Sequence, residues 1–245
     1  MVWGMSLPVT FGEFWPDGDF EGKTNDGRQG WGSRLSATFE DLSPSEQDRL
    51  FDSLKDNPAR RVHTYRFHAV AKFRDEIGTN PYEPDDPPLS PIAAFEAPRF
   101  FESRKSYSQL GSLIMLNDRI LAVDDDFREI IERFEPGMHR FFPIEIHTRN
   151  VVATFHTLVV GQWLDSFSPE HSQAEAFTHN GDRFRLYEKR AAMAGLAFSR
   201  AAFGNAQLWR ERRIGERVTL LSDQLHAAIV ERGLRVPRIN KLKEI

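Results

Sequence analysis

The sequence contains no cysteine. Disulfide frameworks, thiolate zinc sites and cysteine nucleophiles are thereby excluded together, and stability has to come from packing. No apolar run approaches the roughly 18 residues that a membrane-spanning helix needs. The first residues carry neither a basic segment nor a continuous apolar one, so a cytosolic protein is expected. Strong charge of one sign is missing as well: 32 Lys and Arg against 36 Asp and Glu leave a net charge of -4, too mild to select a partner. There is no His-Glu-x-x-His helix, no phosphate-binding Gly-rich loop after a strand and no Gly-x-Ser-x-Gly elbow. The motifs give no enzyme, and neither a cofactor nor a metal is expected.

What is present suffices for a large core. Of 245 residues, 40% are hydrophobic and 12% aromatic, enough for one large domain or two small ones. Residues 1–100 read as an aromatic and acidic region with one helix and a proline-rich loop. Residues 101–245 read as an α+β domain, possible as one continuous unit with the first. Charge is uneven along the chain: residues 181–245 hold twice as many basic as acidic side chains, and residues 1–180 have an acidic excess. The two parts either neutralise one another in the fold or orient a charged partner.

Residues 121–146 are the best-organised stretch. A short apolar strand turns through Asp124, Asp125 and Asp126 into a helix with Phe127, Ile130, Ile131 and Phe134 on one face. Glu135-Pro136-Gly137 stops that helix, and Phe141-Phe142-Pro143-Ile144 starts a second strand. Laying Arg217 on Arg119 aligns Val218 with Ile120, Leu221 with Val123, Ser222 with Asp124, Leu225 with Phe127 and Ile229 with Ile131. Strand, capping side chain and helix thus occur twice in one register. The fold class that follows is α+β, with a mixed, mostly antiparallel sheet, short capped helices and two related strand-helix units.

Elsewhere the signals are local. Residues 1–35 carry Trp3, Phe11, Phe14, Trp15, Phe20 and Trp31 among turns at Pro16-Asp17-Gly18 and Asn25-Asp26-Gly27, and are expected to pack on the body as an irregular arm or a β-hairpin. Ser43-Pro44-Ser45-Glu46 is a capping box that opens a helix to about residue 54. The β-branched and aromatic residues of 62–67 predict a strand. Pro81 to Pro88, with Glu83, Asp85 and Asp86, form an exposed acidic loop or linker. Residues 151–160 predict a strand apolar on both faces and hence central in a sheet. The alanines of residues 187–203 favour a helix.

Several constellations invite chemistry. Ser222, Asp223 and His226 lack the geometry of a triad, and Ser222 is better explained as an N-cap. Asp124, with Asp125 and Asp126, is likewise a cap favoured by the helix dipole rather than a cation site. On a strand, His63 and His68 would fall on opposite faces. His139, His147 and His156 lie on or near strands and would suit zinc only if the fold gathered them. Arg210, Arg212, Arg213 and Arg217 around Trp209 suggest phosphate binding, against a solvated strand pair that exchanges charge with Glu211 and Glu216.

These elements, in this order, resemble the eleventh-numbered immunity protein family of bacterial polymorphic toxin systems. The resemblance rests on residues 121–144, then the strand and turn from Leu158 to Asp165 with Ser172, then Leu208-Trp209-Arg210, then residues 220–225 with a helix and Gly233, and it spans roughly residues 110–236. In two places the chain departs from that pattern. Arg235-Val236-Pro237 stands where the family has a Gly-aromatic strand, and residues 183–208, where the family implies strands, favour helix by composition. The resemblance implies a protein with no reaction of its own that binds and blocks a secreted antibacterial toxin, of the kind delivered by type VI secretion, wherever that toxin acts. A cytosolic immunity protein then implies a cytosol-acting toxin, with no membrane or nucleic-acid partner. A basic toxin would be drawn to residues 1–180, with Glu83, Asp85 and Asp86 as contacts. The alternatives are a hydrolase or nucleotide-modifying enzyme whose histidines and carboxylates assemble only in the fold, and an arginine-rich nucleic-acid binder.

Overall fold

A computed structural model describes residues 1–21, 29–50, 58–78, 89–149, 152–180, 183–187, 192–215 and 218–245. The first half contributes β1 (Val2–Met5), β2 (Gly18–Asp19), α1 (Trp31–Asp41), α2 (Pro44–Leu50), α3 (Pro58–Arg74), β3 (Phe100–Ser103), β4 (Leu113–Met115) and β5 (Leu121–Val123). The middle holds α4 (Asp125–Phe134), β6 (Arg140–His147), β7 (Val152–Val159), β8 (Trp163–Leu164), β9 (Phe177–Asn180) and β10 (Arg183–Leu186). The chain closes with β11 (Ala197–Phe198), α5 (Arg200–Phe203), β12 (Leu208–Glu211), β13 (Thr219–Ser222), α6 (Asp223–Glu231) and β14 (Ile239–Glu244).

The strands form two six-stranded sheets, ordered β2-β3-β6-β7-β5-β4 and β11-β14-β1-β13-β12-β8, and a β9-β10 ribbon. Pairing is antiparallel apart from β3 with β6, β11 with β14 and β12 with β8, so the architecture is α+β with mixed, mostly antiparallel sheets. The alternation of side chains along each strand sorts the core into layers. Leu121 and Val123 of β5, with Leu221 of β13 and Leu208 of β12, enter a central core shared with Phe127, Ile130, Ile131, Leu225 and Ile229 of α4 and α6. Ala122 points the other way, into a core with Trp31, Leu35, Phe39, Tyr65 and Phe73 of α1 and α3. Leu220 and Trp209 leave the opposite face of the second sheet, towards Phe167, Leu196, Phe198 and Phe203. Strands covered on both faces read as continuous apolar runs, which is why β7 was legible as a central strand.

The repeated unit is real and its copies lie in different sheets. Asp124 caps α4 by accepting from the Phe127 amide at 2.9 Å, and Ser222 caps α6 by accepting from the Leu225 amide at 3.0 Å. The two helices pack together in the central core, and Arg232 after α6 pairs with Asp126 and Glu129 of α4. Asp124→Ala is expected to cost about 1 kcal/mol. Ser222→Ala should cost at least as much, because the hydroxyl also donates to Gln207. Urea unfolding of each variant measures this, and unchanged midpoints would remove the capping role.

Three expectations are corrected. Residues 62–67 are helix, within α3, because Tyr65, Ala69, Lys72 and Phe73 recur at helical spacing on the buried face, which outweighs the β-propensity of the side chains. His63 and His68 therefore lie on a helix and not on a strand. Among the described residues of 187–203 the α-helix is the four-residue α5, ended by Gly204 at φ 54°. Before it, the Ala197 carbonyl accepts from Ser168, the Gly195 carbonyl accepts from Gln173, and β11 pairs with β14. A few tenths of a kcal/mol per alanine cannot compete with that pairing. Finally, the N-terminal segment packs on the body as expected, but it begins as a sheet strand and not as an arm: β1 lies between β13 and β14, with Val2 in one core and Met5 in another.

The capping box at Ser43 is formed, its amide donating to Glu46 at 3.0 Å and its hydroxyl accepting from the Glu46 amide at 3.4 Å. Helix α1 precedes it, unannounced by any cap. The end of α2 towards residue 54, the turn at Asn25-Asp26-Gly27, Arg217 and the loop with Glu83, Asp85 and Asp86 lie outside the described residues.

Candidate functional site

The side chains with chemical potential are held apart and engaged internally. His139, His147 and His156 do not converge; each meets its own carboxylate, Glu135 at 2.8 Å, Glu145 at 2.8 Å and Asp125 at 2.7 Å. Among the described residues no three His, Asp or Glu side chains gather as metal ligands. Asp223 accepts from the Trp3 indole at 2.9 Å, and His226 stacks on that ring at 3.7 Å between centroids. Burial pushes the His226 pKa down while Asp223 opposes the shift. The Ser222, Asp223 and His226 cluster therefore caps a helix and seats Trp3 of β1.

The arginines around Trp209 are likewise taken up by the fold. Trp209 is fully buried and its indole donates to Ser166 at 3.1 Å. Arg210 is buried and donates to the Arg74 carbonyl at 3.3 Å. Arg212 grips Glu76 through two hydrogen bonds of 2.8 Å and Asp165 at 3.1 Å, contacts that raise its already high pKa. Arg213 donates to the Phe167 carbonyl at 2.8 Å. Glu211 is not part of a solvated strand pair, since it has no exposure at all; Glu216 lies outside the described residues. Its carboxylate accepts from Ser166, Phe167 and Arg213, and burial still pushes its pKa up. Arg212 with Glu76, Arg232 with Asp126 and Arg235 with Glu13 join the basic C-terminal part to the acidic remainder.

Two further carboxylates, the buried Glu96 and the partly buried Glu135, act as hubs that no motif announced. Glu96 receives Lys72 at 2.5 Å, Tyr65 at 2.9 Å and the Ala93 amide at 2.6 Å. Burial and the Glu96 charge push the Tyr65 pKa up. Glu135 receives His139 at 2.8 Å, the amides of Gln207 at 2.8 Å and Leu208 at 3.0 Å, and the side chain of Gln162. The His139 Nδ1 accepts from the Gly161 amide at 3.1 Å, which leaves Nε2 as the donor to Glu135. Only glycine fits at 161, because a Cβ there would lie 1.9 Å from the Met138 carbonyl oxygen. Lys72 in the apolar run from Ala69 to Phe73 was the one local sign of the first hub.

Two surface clefts stand out among the described residues. One, of about 570 Å³, is walled by Met5, Leu7, Trp15 and Met115 and rimmed by Val9, which is 88% exposed. Phe11 stands beside it, half exposed and against Trp15 at 4.6 Å, whereas Phe20 and Trp31 are buried, so the aromatic N-terminus mostly packs inward. At the same cleft the β4-β5 turn carries Asp118 and Arg119 at φ 58° and 59°, a left-handed pair that favours glycine. Arg119→Gly is expected to stabilise the fold by about 0.5 kcal/mol, the relief of left-handed strain less the added freedom of the unfolded chain. A lower thermal midpoint would mean that the Arg119 side chain holds the turn. The second cleft, of about 730 Å³, lies between α1, β3 and β6 and carries Arg34 and Arg99.

The order of elements from α3 to β14 is also the order of a known family: residues 52–243 match the model of the Immunity protein family (Imm11). The chain belongs to this family. A comparison with curated proteins returned no match. Both departures from the family pattern resolve in its favour. The closing strand forms as β14 once Pro237 is passed, and residues 183–208 contain β10 and β11. No described helix of this immunity protein is long and apolar enough to cross a membrane.

Proposed function

We propose that the chain neutralises a cognate secreted antibacterial toxin by stoichiometric binding in the cytosol, without a reaction of its own and as one continuous domain. The family match carries this reading. The geometry agrees with it, since the candidate nucleophile, histidines and arginines among the described residues are spent on caps, hubs and ion pairs. The toxin is basic and reaches the acidic part of the chain, residues 1–180, where Glu83, Asp85 and Asp86 make contacts and long-range attraction speeds encounter. Type VI secretion is the delivery route.

Co-expression with the neighbouring open reading frame in a sensitive host is the direct test. Restored growth and a recovered 1:1 complex are expected, and unchanged toxicity would overturn the proposal. Reversing Glu83, Asp85 and Asp86 to lysine should slow association about tenfold or more at low salt and flatten its salt dependence. Unaltered kinetics would move the interface elsewhere.

A further inference from the structure

We propose that the cleft between α1, β3 and β6 is an oxyanion-binding subsite, with Arg34 and Arg99 as its two cationic arms. The cleft measures about 730 Å³ and its floor is largely apolar, with Trp31, Phe100 and Ile144 beside the two guanidinium groups. Arg34 sits in the first turn of α1 and spends one nitrogen on the Ala97 carbonyl. Its Nη1 is buried and has no hydrogen-bond partner. Arg99 is exposed and, among the described residues, makes no ion pair.

Among the described residues, the carboxylate that lines the cleft and the one beside the start of α1 both have other partners. Glu145, on the cleft wall, accepts from His147 at 2.8 Å. Glu21 accepts from the Gly32 amide at 3.3 Å and pairs with Arg66 at 3.3 Å. Two like charges thus share one partly desolvated cleft, and burial together with Arg99 pushes the Arg34 pKa down. Arg66, Arg104, Arg212, Arg232 and Arg235 pair with acids and Arg213 donates to a carbonyl, whereas the Arg34 Nη1 is buried with no acceptor. A planar or tetrahedral oxyanion between two guanidinium forks would supply the missing acceptors in charge-assisted hydrogen bonds and remove the repulsion. The apolar floor suits the carbon body that carries such a group. The anion has two sources, a carboxylate presented by the bound toxin or a free inorganic anion; the first of these rests on the proposed function and the subsite itself does not.

Inorganic phosphate titrated into the full-length chain, with chloride at matched ionic strength as the control, tests the subsite. At ten times its dissociation constant phosphate should raise the thermal midpoint by about 3–5 °C. The increment should vanish in Arg99→Gln, whose exposed position leaves folding intact, and in Arg34→Gln. Isothermal titration should agree, with heat of binding in the wild type and none in Arg99→Gln. No phosphate-specific increment in the wild type, or an equal one in Arg99→Gln, would overturn the proposal whatever the protein does to a toxin. In the complex, phosphate that competes with toxin, an effect lost in Arg99→Gln, identifies a toxin carboxylate as the occupant. Toxin binding indifferent to phosphate assigns the cleft to a free anion.

Discussion

Glu96→Ala is expected to destabilise the protein by about 3–5 kcal/mol, the cost of removing one partner from a buried ion pair. Lys72 and Glu96 are 3% and 1% exposed, so the remaining ammonium has no route to water. The substitution also strips acceptors from the Tyr65 hydroxyl and the Ala93 amide, each of which had its hydrogen bond in the native state. The damage should centre on the packing of α3 against α1 and the first sheet, where Tyr65, Trp31 and Phe73 share one core. Equilibrium urea unfolding gives the number. Replacing both charges, as Lys72→Met with Glu96→Gln, should recover a large part of the loss, because the charge is then no longer stranded. If the double variant is no better than Glu96→Ala, desolvation is not what the pair is balancing.

The second large effect is expected at Glu135. Glu135→Ala leaves the Gln207 and Leu208 amides, His139 and Gln162 without their acceptor, at a cost of about 3–5 kcal/mol. This carboxylate ends α4 in the first strand-helix unit and holds the start of β12, which pairs with β13 of the second unit. Its loss therefore loosens the two sheets from one another. Acid should do the same gradually. Burial raises the Glu135 pKa, but the hydrogen bonds from His139, Gln207 and Gln162 and the His139 interaction outweigh it and hold the group below its ordinary value. A depressed carboxylate contributes stability that is complete above the unfolded pKa, about 4.3, and is lost as pH falls through the lower folded value. Glu135→Gln should accordingly be less stable than wild type at neutral pH and closer to it in acid. A gap independent of pH would show that the charge does not matter and only the hydrogen bonds do.

Residues of the first strand-helix unit show what was legible. Asp124, Phe127, Ile130, Ile131 and the Glu135-Pro136-Gly137 stop lie within one short stretch, and cap and period act there between neighbours. The same holds for Ser222 to Ile229, so the comparison of two local patterns was enough to turn acids into caps. Lys72 shows the opposite. It lies just beyond residues 62–67, which β-propensity marked as a strand and which hid the helix that carries it, and its partner lies 24 residues further on. The candidate cleft was equally hidden: Arg34 comes from a helix that no cap announced and Arg99 from just before β3, and only the fold brings them to one cleft.

The sequence by itself determined the capped strand-helix units, the central strand β7 and the family, because each is written in short-range spacing and in the order of short motifs. The tertiary structure alone decided that the N-terminal strand belongs inside the second sheet, that α3 is a helix and which acid each buried base meets. Those outcomes depend on contacts between residues far apart in the chain, such as the 220 residues that separate Trp3 from Asp223 and the 236 that separate Gly4 from Asn240. Such contacts leave no periodic trace along the chain, and they outweigh propensities worth only tenths of a kcal/mol per residue.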